Sequence, residues 1–426
     1  MECMQSETVK YAINKGDEAF TVSLEELYTY FGILILSGYN KVPTTPMYWE
    51  TESDVYNHLV AGSMARNKFE KIHRYLHFND NTQIDSNNKA FKVQPVLDHL
   101  NTKFKELGKP FGTSFSVDES MEPYEFIRGK PIRYGYKIWC MTTSEGYLLN
   151  FDLYTGKNMI RSNEPLGLSV TKTLCYDIVP EHSTVFLDNY FNSFKLLEEF
   201  DKKNITVVGT IRSDRIENAP LSSMKRELRG TCEALKSKNI TLVRWNDNNN
   251  VTIATNCKND NITTTTGLCK RYDRQQKRRQ DVKQPVIIKE YNSGMGGVDL
   301  FDQQRTAYRT RIRSRKWYWA IFRFCLNGAV VNLWILFRKA YPQVTLLGLI
   351  RRLTRSIFSK AIDFHPVSSR KRKRENETRY DGVEHYVNYS KTQRRCKNFG
   401  KCTKFICMKY NFGLHPDNCF YKYHVN

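Results

Sequence analysis

Short β-rich runs alternate with helical ones from Thr113 to Thr210, and this alternation constrains the fold more than any other part of the sequence. Two of the runs, YGYKIWCM and GYLLNFDLY, flank the turn Ser144–Gly146 and predict a hairpin. Helical and strand patterns then follow in turn up to Thr210. A hairpin followed by such an alternation predicts an α/β layer with a mixed sheet.

The chain before this layer is predicted to be helical. Ser23 opens a capping box, Ser-Leu-Glu-Glu, ahead of apolar residues at helical spacing that reach Gly38. Ser63 opens a second amphipathic helix. After Thr210, residues 211–285 contain a further hairpin and a basic connector, and they interrupt the layer as an insertion.

Carboxylates stand where an α/β sheet usually places its chemistry. Asp118 and Asp188 each end a predicted strand, and strand ends converge at one edge of a sheet. Asp299 and Asp302 follow a glycine-marked turn and share one face of a predicted helix. Enzymes that use two metal ions for phosphoryl transfer hold the ions about 4 Å apart with such carboxylates, and Mg²⁺ or Mn²⁺ suits them. The alternative for Asp299 and Asp302 is a helix N-terminus with an ion pair to Arg305.

The net charge of +22 indicates a polyanionic partner, of which nucleic acid is the obvious candidate. Between Gln303 and Ile362 there are thirteen Lys and Arg and no acidic residue. The predicted DNA contacts are cations on the turns after Asp302, with one aromatic ring that can stack on a base: Arg305, Arg309, Arg311, Arg313, Arg315, Lys316 and Trp317. The alternative is a solvated helix face.

Four of the eleven cysteines crowd into the last part of the chain, which is too short for its own hydrophobic core. This distribution favours reduced thiols and a zinc site over a disulfide framework. The candidate ligands are Cys396, Cys402, Cys407, His415, Cys419 and His424. The alternative is a frayed tail with incidental cysteines.

Two further features bear on the location of the protein in the cell. No apolar run approaches the length of a membrane-spanning helix, and the first residues lack a secretory leader, so we expect an intracellular protein without a membrane partner. The run Arg370, Lys371, Arg372, Lys373, Arg374 lies in a solvated linker and predicts a nuclear import signal.

Several long motifs, in order, resemble those of the piggyBac family of DDE transposases and their transposable-element-derived relatives. The resemblance extends over nearly the whole chain from Ser23. The motifs are FGILILSGYNKVP, SMARNKFEKIHRYLHFND, VDESM, KPIRYGYKIW, GYLLNFDLYTGK, VFLDNYFNSFKLL, VGTIRSDR and YNSGMGGVDLFDQ. The resemblance implies that Asp118, Asp188 and Asp299 are the catalytic aspartates, with Asp302 accompanying them.

The fold implied is an RNase H-like core with an insertion, flanked by helical DNA-binding segments. The expected regions are a helical dimerisation and DNA-binding region (1–105), the core (106–210), the β-rich insertion (211–285), the last part of the core (286–303), a basic helical DNA-binding region (304–366), a linker (367–393) and a Cys/His-rich zinc tail (394–426).

The activity implied is cut-and-paste transposition by a nuclear homodimer. It comprises Mg²⁺-dependent nicking of double-stranded DNA at terminal inverted repeats, attack by the freed 3′-OH to give a hairpin, and joining into TTAA targets. The sequence departs from the family in a short N-terminal region and a shortened segment between Glu122 and Phe126. Phe399 and Tyr410 stand where cysteines are expected, so one zinc ion is expected rather than two.

Two main hypotheses follow from these observations. The first is an active transposase, because the set of aspartates is complete. The second is a domesticated or decayed transposase that binds DNA without cutting it. A third hypothesis treats the tail as a module for protein or chromatin interaction.

Overall fold

A computed structural model describes most of the chain. It covers residues 1–108, 112–123, 135–156, 164–216, 218–224, 227–264, 267–273, 276–364, 385–416 and 418–424. The chain divides into two compact units, Met1–Phe358 and Ser359–Asn426.

Five helices open the first unit. They are α1 (Glu2–Ile13), α2 (Leu24–Leu36), α3 (His58–Ser63), α4 (Arg66–Tyr75) and α5 (Gln94–Gly108), with short 3-10 turns at Thr45–Trp49 and Asn81–Gln83. The capping box predicted at Ser23 is present: the Glu26 amide donates to Ser23 Oγ at 3.1 Å, and the Ser23 amide donates to the Glu26 carboxylate at 2.9 Å. These two bonds satisfy amides that the first turn of α2 would otherwise leave unpaired.

Strands and helices then alternate as the sequence predicts. The elements are β1 (Ser114–Pro123), β2 (Gly135–Thr143), β3 (Leu148–Leu153), α6 (Leu166–Cys175), β4 (Thr184–Leu187), α7 (Phe194–Asp201), β5 (Thr206–Thr210), β6 (Cys232–Ser237), β7 (Ile240–Asn246), β8 (Asn250–Thr255), β9 (Gly267–Asp273) and β10 (Arg278–Gln284). Two more 3-10 turns cover Ser213–Arg215 and Asp260–Thr263.

Strands β1 to β8 form one mixed sheet in the order β3–β2–β1–β4–β5–β8–β7–β6. The strand β1 is antiparallel to β2 and parallel to β4, and β4 is parallel to β5. The hairpin predicted inside the insertion does not stand apart from this layer, because β8 pairs with β5 in antiparallel orientation and extends the same sheet. A separate two-stranded ribbon consists of β9 and β10.

Four helices complete this part of the chain: α8 (Val286–Gly294), α9 (Gly297–Ala307), α10 (Trp319–Ala340) and α11 (Leu346–Phe364). α10 docks on β3, because the Asn332 amide group and carbonyl bond to the Leu148 backbone at 2.8 and 2.9 Å. Phe301 of α9 meets Phe324 of α10 edge to face at 5.8 Å. The α9–α10 pair therefore packs its apolar side into the main core beside the sheet.

The helix α10 corrects the expectation that no apolar run reaches a membrane-spanning length. By length and composition alone this 22-residue helix could cross a membrane. However, 67% of its most apolar window is buried inside the protein, where residues such as Ile321 and Phe324 belong to the core. The core helix of a folded domain satisfies the same criteria.

In the residues that the structure describes, the second unit contains the end of α11, a three-stranded sheet and one short helix. Its elements are β11 (Val387–Arg395), β12 (Cys402–Cys407), β13 (Phe412–Gly413) and α12 (Asn418–His424). The sheet order is β11–β12–β13, with both pairings antiparallel. A small core of Cys396, Cys407, Leu414 and Cys419 lies beside it.

Candidate active site and cysteine-rich tail

Parallel pairing of β1 with β4 places Asp118 and Asp188 next to each other. The register pairs Val117 with Leu187, and each aspartate is the following residue on its strand. The Asp118 carboxylate accepts from the Glu119 amide at 2.7 Å, and the Thr210 hydroxyl donates to Asp188 at 3.3 Å. The two aspartates are therefore neighbours, as predicted, but only Asp188 follows the end of its strand; Asp118 lies within β1, which continues to Pro123 in its pairing with β2.

A tight junction between α8 and α9 brings Asp299 to these two aspartates. A Cβ on Gly297 would lie 2.4 Å from the Thr143 carbonyl oxygen, and a Cβ on Gly294 would lie 2.2 Å from the Phe186 ring. The Ser116 hydroxyl also donates to the Met295 carbonyl at 2.7 Å. Only residues without a Cβ allow this approach, so the glycines dock the first turn of α9, which carries Asp299, directly on the sheet.

The electrostatics of Asp118 indicate that the three carboxylates converge. Its pKa is raised to about 6, chiefly by burial, with further increases from the charges of Asp188 and Asp299, against the lowering effect of the Glu119 amide. The ion pairs near this site involve Glu122 and Asp302. Within the described part of the chain, Asp118, Asp188 and Asp299 form no ion pair with Lys or Arg. Uncompensated carboxylates that converge are a donor set that fits a hard divalent cation.

The carboxylates are nevertheless arranged openly. The three aspartates do not form a compact group. In the described residues, groups of at least three potential metal ligands with all ligand atoms within 4.8 Å of one another occur in the tail. The aspartates are close enough for their charges to interact, yet more widely spaced than such a compact group. This spacing is compatible with a pair of ions about 4 Å apart.

Tyr291 of α8 is a further member of this site that the sequence analysis did not identify. Burial raises the pKa of its phenol, which is hydrogen-bonded to Thr210, and the charges of Asp188 and Asp118 raise it further. Its hydroxyl therefore keeps its proton beside the carboxylates. The residue lies eight positions before Asp299, in the same motif, and this proximity is the signal that could have pointed to it.

Asp302 is held by protein donors. The Ser120 hydroxyl donates to its Oδ1 at 2.7 Å, and Arg305 donates to the same oxygen from Nε at 3.1 Å and from Nη2 at 3.0 Å. Arg305 also donates to Glu122, which in turn receives Arg323 at 3.0 Å. Asp302 was considered both as a metal ligand and as an ion-paired residue of the helix. This geometry favours the ion-paired role, in which Asp302 stabilises the turn that carries Asp299.

The prediction that Arg305 contacts DNA is wrong on geometric grounds. Its side chain is 2% exposed and that of Glu122 is 1% exposed, so both charges are inside the protein. A buried guanidinium satisfied by two carboxylates cannot reach a phosphate. Arg305 instead joins β1 to α9.

The remaining predicted DNA contacts do not lie on a helix. The helix α9 ends at Ala307 and α10 begins at Trp319, so residues 308–318 form a connecting loop. Arg311, Arg313 and Arg315 are exposed, and Trp317 is 41% exposed. Arg309 and Lys316 are half-buried.

Buried side chains hold the loop in place by accepting hydrogen bonds from its backbone amides. The Thr310 amide donates to Asn327 at 3.2 Å, the Arg311 amide donates to Ser37 at 2.9 Å, and Ile312 is buried. The letters RTRIRSR, residues 309–315, alternate cationic and non-cationic residues with period two. That period is typical of extended backbone, and it is the signal that the prediction of a continuous helix overlooked.

In the tail, the potential metal ligands form two separate groups. One consists of His385, Cys407 and His424, and the other of Cys396, His415 and Cys419; in each group the ligand atoms lie within 4.8 Å of one another. Cys407 Sγ lies 3.7 Å from His385 Nδ1, and Cys419 Sγ lies 3.7 Å from His415 Nδ1. Cys402 is exposed and belongs to neither group, contrary to the prediction that included it.

The chemistry of the second group suits a soft cation such as Zn²⁺. Burial raises the pKa of Cys396, but backbone amides near Phe399 and His415 outweigh that effect and hold it at about 7. A large thiolate fraction is therefore present at neutral pH, as a zinc ligand requires. The pKa of its neighbour Cys419 is raised, chiefly by burial, so one proton remains shared in the pair.

Two parts of the sequence analysis fall outside these observations. The predicted nuclear signal at 370–374 lies outside the described residues, as does the shortened segment after Pro123. His385 was not among the predicted ligands, because it lies 22 positions before Cys407 and outside the cysteine-rich stretch.

Comparison with known proteins gives a consistent result. A family model described as Transposase IS4 matches residues 1–334. PiggyBac transposable element-derived protein 3 from Homo sapiens is 36% identical, over 97% of this chain and 72% of that protein. PiggyBac transposable element-derived protein 2 from Homo sapiens is 33% identical, over 99% of this chain and 73% of that protein.

A solved structure shares the fold. The cryo-EM structure of the piggyBac transposase synaptic complex with hairpin DNA aligns with a TM-score of 0.71 at 20% identity, covering 98% of this chain and 94% of that one. At this identity the likeness extends to the mixed α/β architecture.

Proposed function

Because this chain belongs to the piggyBac family of transposases and transposase-derived proteins, we propose that it is a DDE-type DNA transposase. The proposed reaction is hydrolysis of a phosphodiester at transposon ends, followed by attack of the freed 3′-OH and joining into TTAA targets. The observation that carries this proposal is the convergence of Asp118, Asp188 and Asp299: Asp118 lies beside Asp188 in the parallel pairing of β1 with β4, and the charges of Asp188 and Asp299 add to burial in raising the pKa of Asp118 to about 6.

The three aspartates have the role of holding divalent cations, Mg²⁺ or Mn²⁺. When bound, such ions activate the attacking oxygen and stabilise the leaving one. The Glu119 amide and the Thr210 hydroxyl orient two of the carboxylates, at 2.7 Å and 3.3 Å from Asp118 and Asp188. Asp302 acts indirectly, because Ser120 and Arg305 occupy its oxygen and so fix the turn of α9 that also carries Asp299.

The sheet supports an RNase H-like core. Its first five strands run in the order β3–β2–β1–β4–β5, with two antiparallel strands on one side of β1 and two parallel strands on the other. The catalytic carboxylates then come from the central strand, its parallel neighbour and a helix packed on them. In this proposal residues 211–285 are the insertion that separates the second aspartate from the third.

The partner in this proposal is double-stranded DNA carrying terminal inverted repeats. Support comes from the net charge of +22 and from the exposed arginines of the 308–318 loop. The solved relative is a synaptic complex with hairpin DNA. A homodimer, a nuclear location and zinc bound by the two Cys/His groups of the tail complete the proposal.

A second function is favoured by the identity of the curated relatives, which are human proteins described as transposable element-derived. In this alternative the chain keeps the fold and its affinity for DNA but no longer cuts. The basic surface of the 308–318 loop does not depend on the aspartates, so binding could outlast catalysis.

Cleavage of a cognate duplex separates the two functions. The substrate is a duplex made from the repeats that flank the gene, incubated with Mg²⁺ and the full chain. We expect nicking by the wild type and none by Asp299→Ala, whereas Asp177→Ala, which removes a 91% exposed carboxylate, keeps full activity. If the wild type binds the duplex without nicking it, the transposase proposal is wrong and the DNA-binding alternative stands. Absence of both would overturn both.

A further inference from the structure

A cavity of about 570 Å³ opens beside α4, away from the aspartates in sequence and in the elements that line it. Its lining residues are His73, Arg74, Arg313, Ser314, Arg315 and Lys316. Four of the six are Lys or Arg, and none is acidic. One wall is the C-terminal end of α4, and the other is the 308–318 loop.

The two walls are fastened together by His73. Its Nε2 lies 2.9 Å from the Arg313 carbonyl oxygen, which can only accept, so Nε2 carries the proton. Nδ1 then accepts from the Tyr30 hydroxyl at 2.8 Å. Burial lowers the pKa of His73 to about 4, so the ring is neutral and keeps this tautomer at physiological pH.

Lys316 forms the floor of the cavity. Its ammonium donates to the carbonyl oxygens of His73 and Leu76 at 3.0 and 2.8 Å, and burial lowers its pKa to about 7. An ammonium has three donors, and these carbonyls take two of them. The position of the Lys316 nitrogen is therefore fixed by the fold before any ligand arrives, and because its pKa is near 7 the arginines carry most of the charge of the cavity at neutral pH.

The outer cations complete an anion-binding geometry. Arg74, Arg313 and Arg315 are exposed and line the same opening. Guanidinium groups present paired N–H donors that match two oxygens of one phosphate. The cavity therefore combines a positioned lysine at its floor with exposed arginines at its rim. This arrangement can bind an anionic group that belongs to a larger molecule.

We propose that this cavity is a phosphate-binding subsite for the backbone of nucleic acid, contacted by Arg74 and Arg315 at the rim. The inference rests on the proposed DNA partner and names the side chains of α4 and of the 308–318 loop that hold its backbone. Trp317, 41% exposed and 6.4 Å from the Tyr136 ring, offers a planar surface next to the cavity. A phosphate followed by a planar base is a combination that nucleic acid provides and an acidic peptide does not.

The test is the salt dependence of duplex binding by the full chain, measured by fluorescence anisotropy with a 30-base-pair probe of arbitrary sequence in KCl. Each phosphate contact contributes about 0.9 to the slope of log K against log salt. The variant Arg74→Gln/Arg315→Gln should lower that slope by about 2 and weaken binding at least tenfold at low salt. Ser314→Asp, which puts a negative charge at the rim, should weaken binding in the same direction.

The matched control is Lys15→Gln/Lys202→Gln, which removes two exposed cations, one in the turn after α1 and one directly after α7. It should leave the slope within about 0.5 of the wild type, by the same relation. If the wild type binds and the Arg74 and Arg315 variant behaves as this control does, the inference is wrong while the proposed function stands. If the wild type does not bind duplex, the proposed DNA partner itself fails.

Poly-glutamate provides the competing outcome. Binding of poly-glutamate by the wild type that is lost in the Arg74 and Arg315 variant, without any such loss for duplex, would assign the cavity to an acidic protein and overturn the proposal. Circular dichroism and thermal unfolding of each variant establish that it is folded. Both arginines are exposed, so we expect native spectra.

Discussion

Arg305 and Glu122 form an ion pair inside the protein, 183 positions apart in the chain, with side chains that are 2% and 1% exposed. Burial disfavours the charged form of Arg305, but the charges of Glu122 and Asp302 outweigh it and raise the pKa of the guanidinium. Through this one side chain, the end of β1 is tied to the helix that carries Asp299. The pair thus links the two segments that supply the first and last aspartates.

Arg305→Met should destabilise the protein strongly. The substitution leaves Glu122 and Asp302 with one positive neighbour fewer in a buried setting, and breaking such a pair costs about 3–5 kcal/mol. Denaturant unfolding measures the loss. Arg311→Met, at an exposed position of the loop, is the control and should change stability by about 0.5 kcal/mol or less. Similar small losses in both variants would contradict a structural role for Arg305.

Gly297→Ala should displace α9 from the sheet. The new methyl group would lie 2.4 Å from the Thr143 carbonyl oxygen and 2.6 Å from the Thr142 hydroxyl, so the helix must move. We expect a loss of about 1–3 kcal/mol in stability, as for other overpacked sites, and weaker Mn²⁺ binding by isothermal titration calorimetry.

Gly296→Ala is the matched control for this change. A Cβ at Gly296 meets no heavy atom within 4 Å, and its φ of −73° is open to alanine. It should retain wild-type stability and Mn²⁺ affinity. If both alanine variants bind Mn²⁺ as the wild type does, close docking of α9 is not what places Asp299.

Local patterns predicted the elements that build the candidate site. The hairpin of β2 and β3 follows from two β-rich runs around a turn, and α2 follows from the capping box at Ser23. The rule that ligands gather at the carboxyl ends of strands also predicted the closeness of Asp118 and Asp188, although β1 continues five residues beyond Asp118. These features depend on neighbours in sequence or on a general rule of sheets.

Features that depend on distant partners could not be predicted in this way. Nothing near Arg305 in the sequence indicates that it will be buried in an ion pair with Glu122. Because it stands in a cation-rich stretch, we predicted that it contacts DNA. Treating these cations as one set on helical turns also overlooked the period-two alternation in the 308–318 loop. His385 was missed for a related reason, since it joins Cys407 and His424 only after β11 and β12 pair.

Zinc content should follow the two Cys/His groups of the tail. The two groups change the number expected from the sequence from one zinc ion to two per full-length chain, one for each group of three ligands, as measured by mass spectrometry of the metal. His385→Ala and Cys396→Ser should each remove one ion, because each disrupts a different group. Cys402→Ser, the control, changes an exposed thiol outside both groups and should keep both ions. Loss of zinc from the Cys402 variant would show that the ligand sets differ from these.

The pH dependence of stability should reveal the burial of Asp118 and its repulsion by the neighbouring aspartates. The pKa of Asp118 is raised from 3.8 to about 6 in the folded protein, so the folded state binds its proton more tightly than the unfolded state. This carboxyl therefore contributes stability that is fully present below about pH 4 and is lost as the pH rises through about 6. Asp118→Asn removes the charge and escapes that loss.

In EDTA, urea unfolding of Asp118→Asn and the wild type should therefore diverge with pH. We expect the variant to gain about 1–2 kcal/mol relative to the wild type between pH 4 and pH 7.5, an amount already reduced for the partial exposure of the side chain. Asp177→Asn removes a 91% exposed carboxylate and should stay within about 0.5 kcal/mol at both pH values. If the wild type instead gains stability relative to the Asp118 variant as the pH rises, neither burial nor neighbouring charges disfavour the Asp118 carboxylate, and the argument for a shared cation site loses its basis.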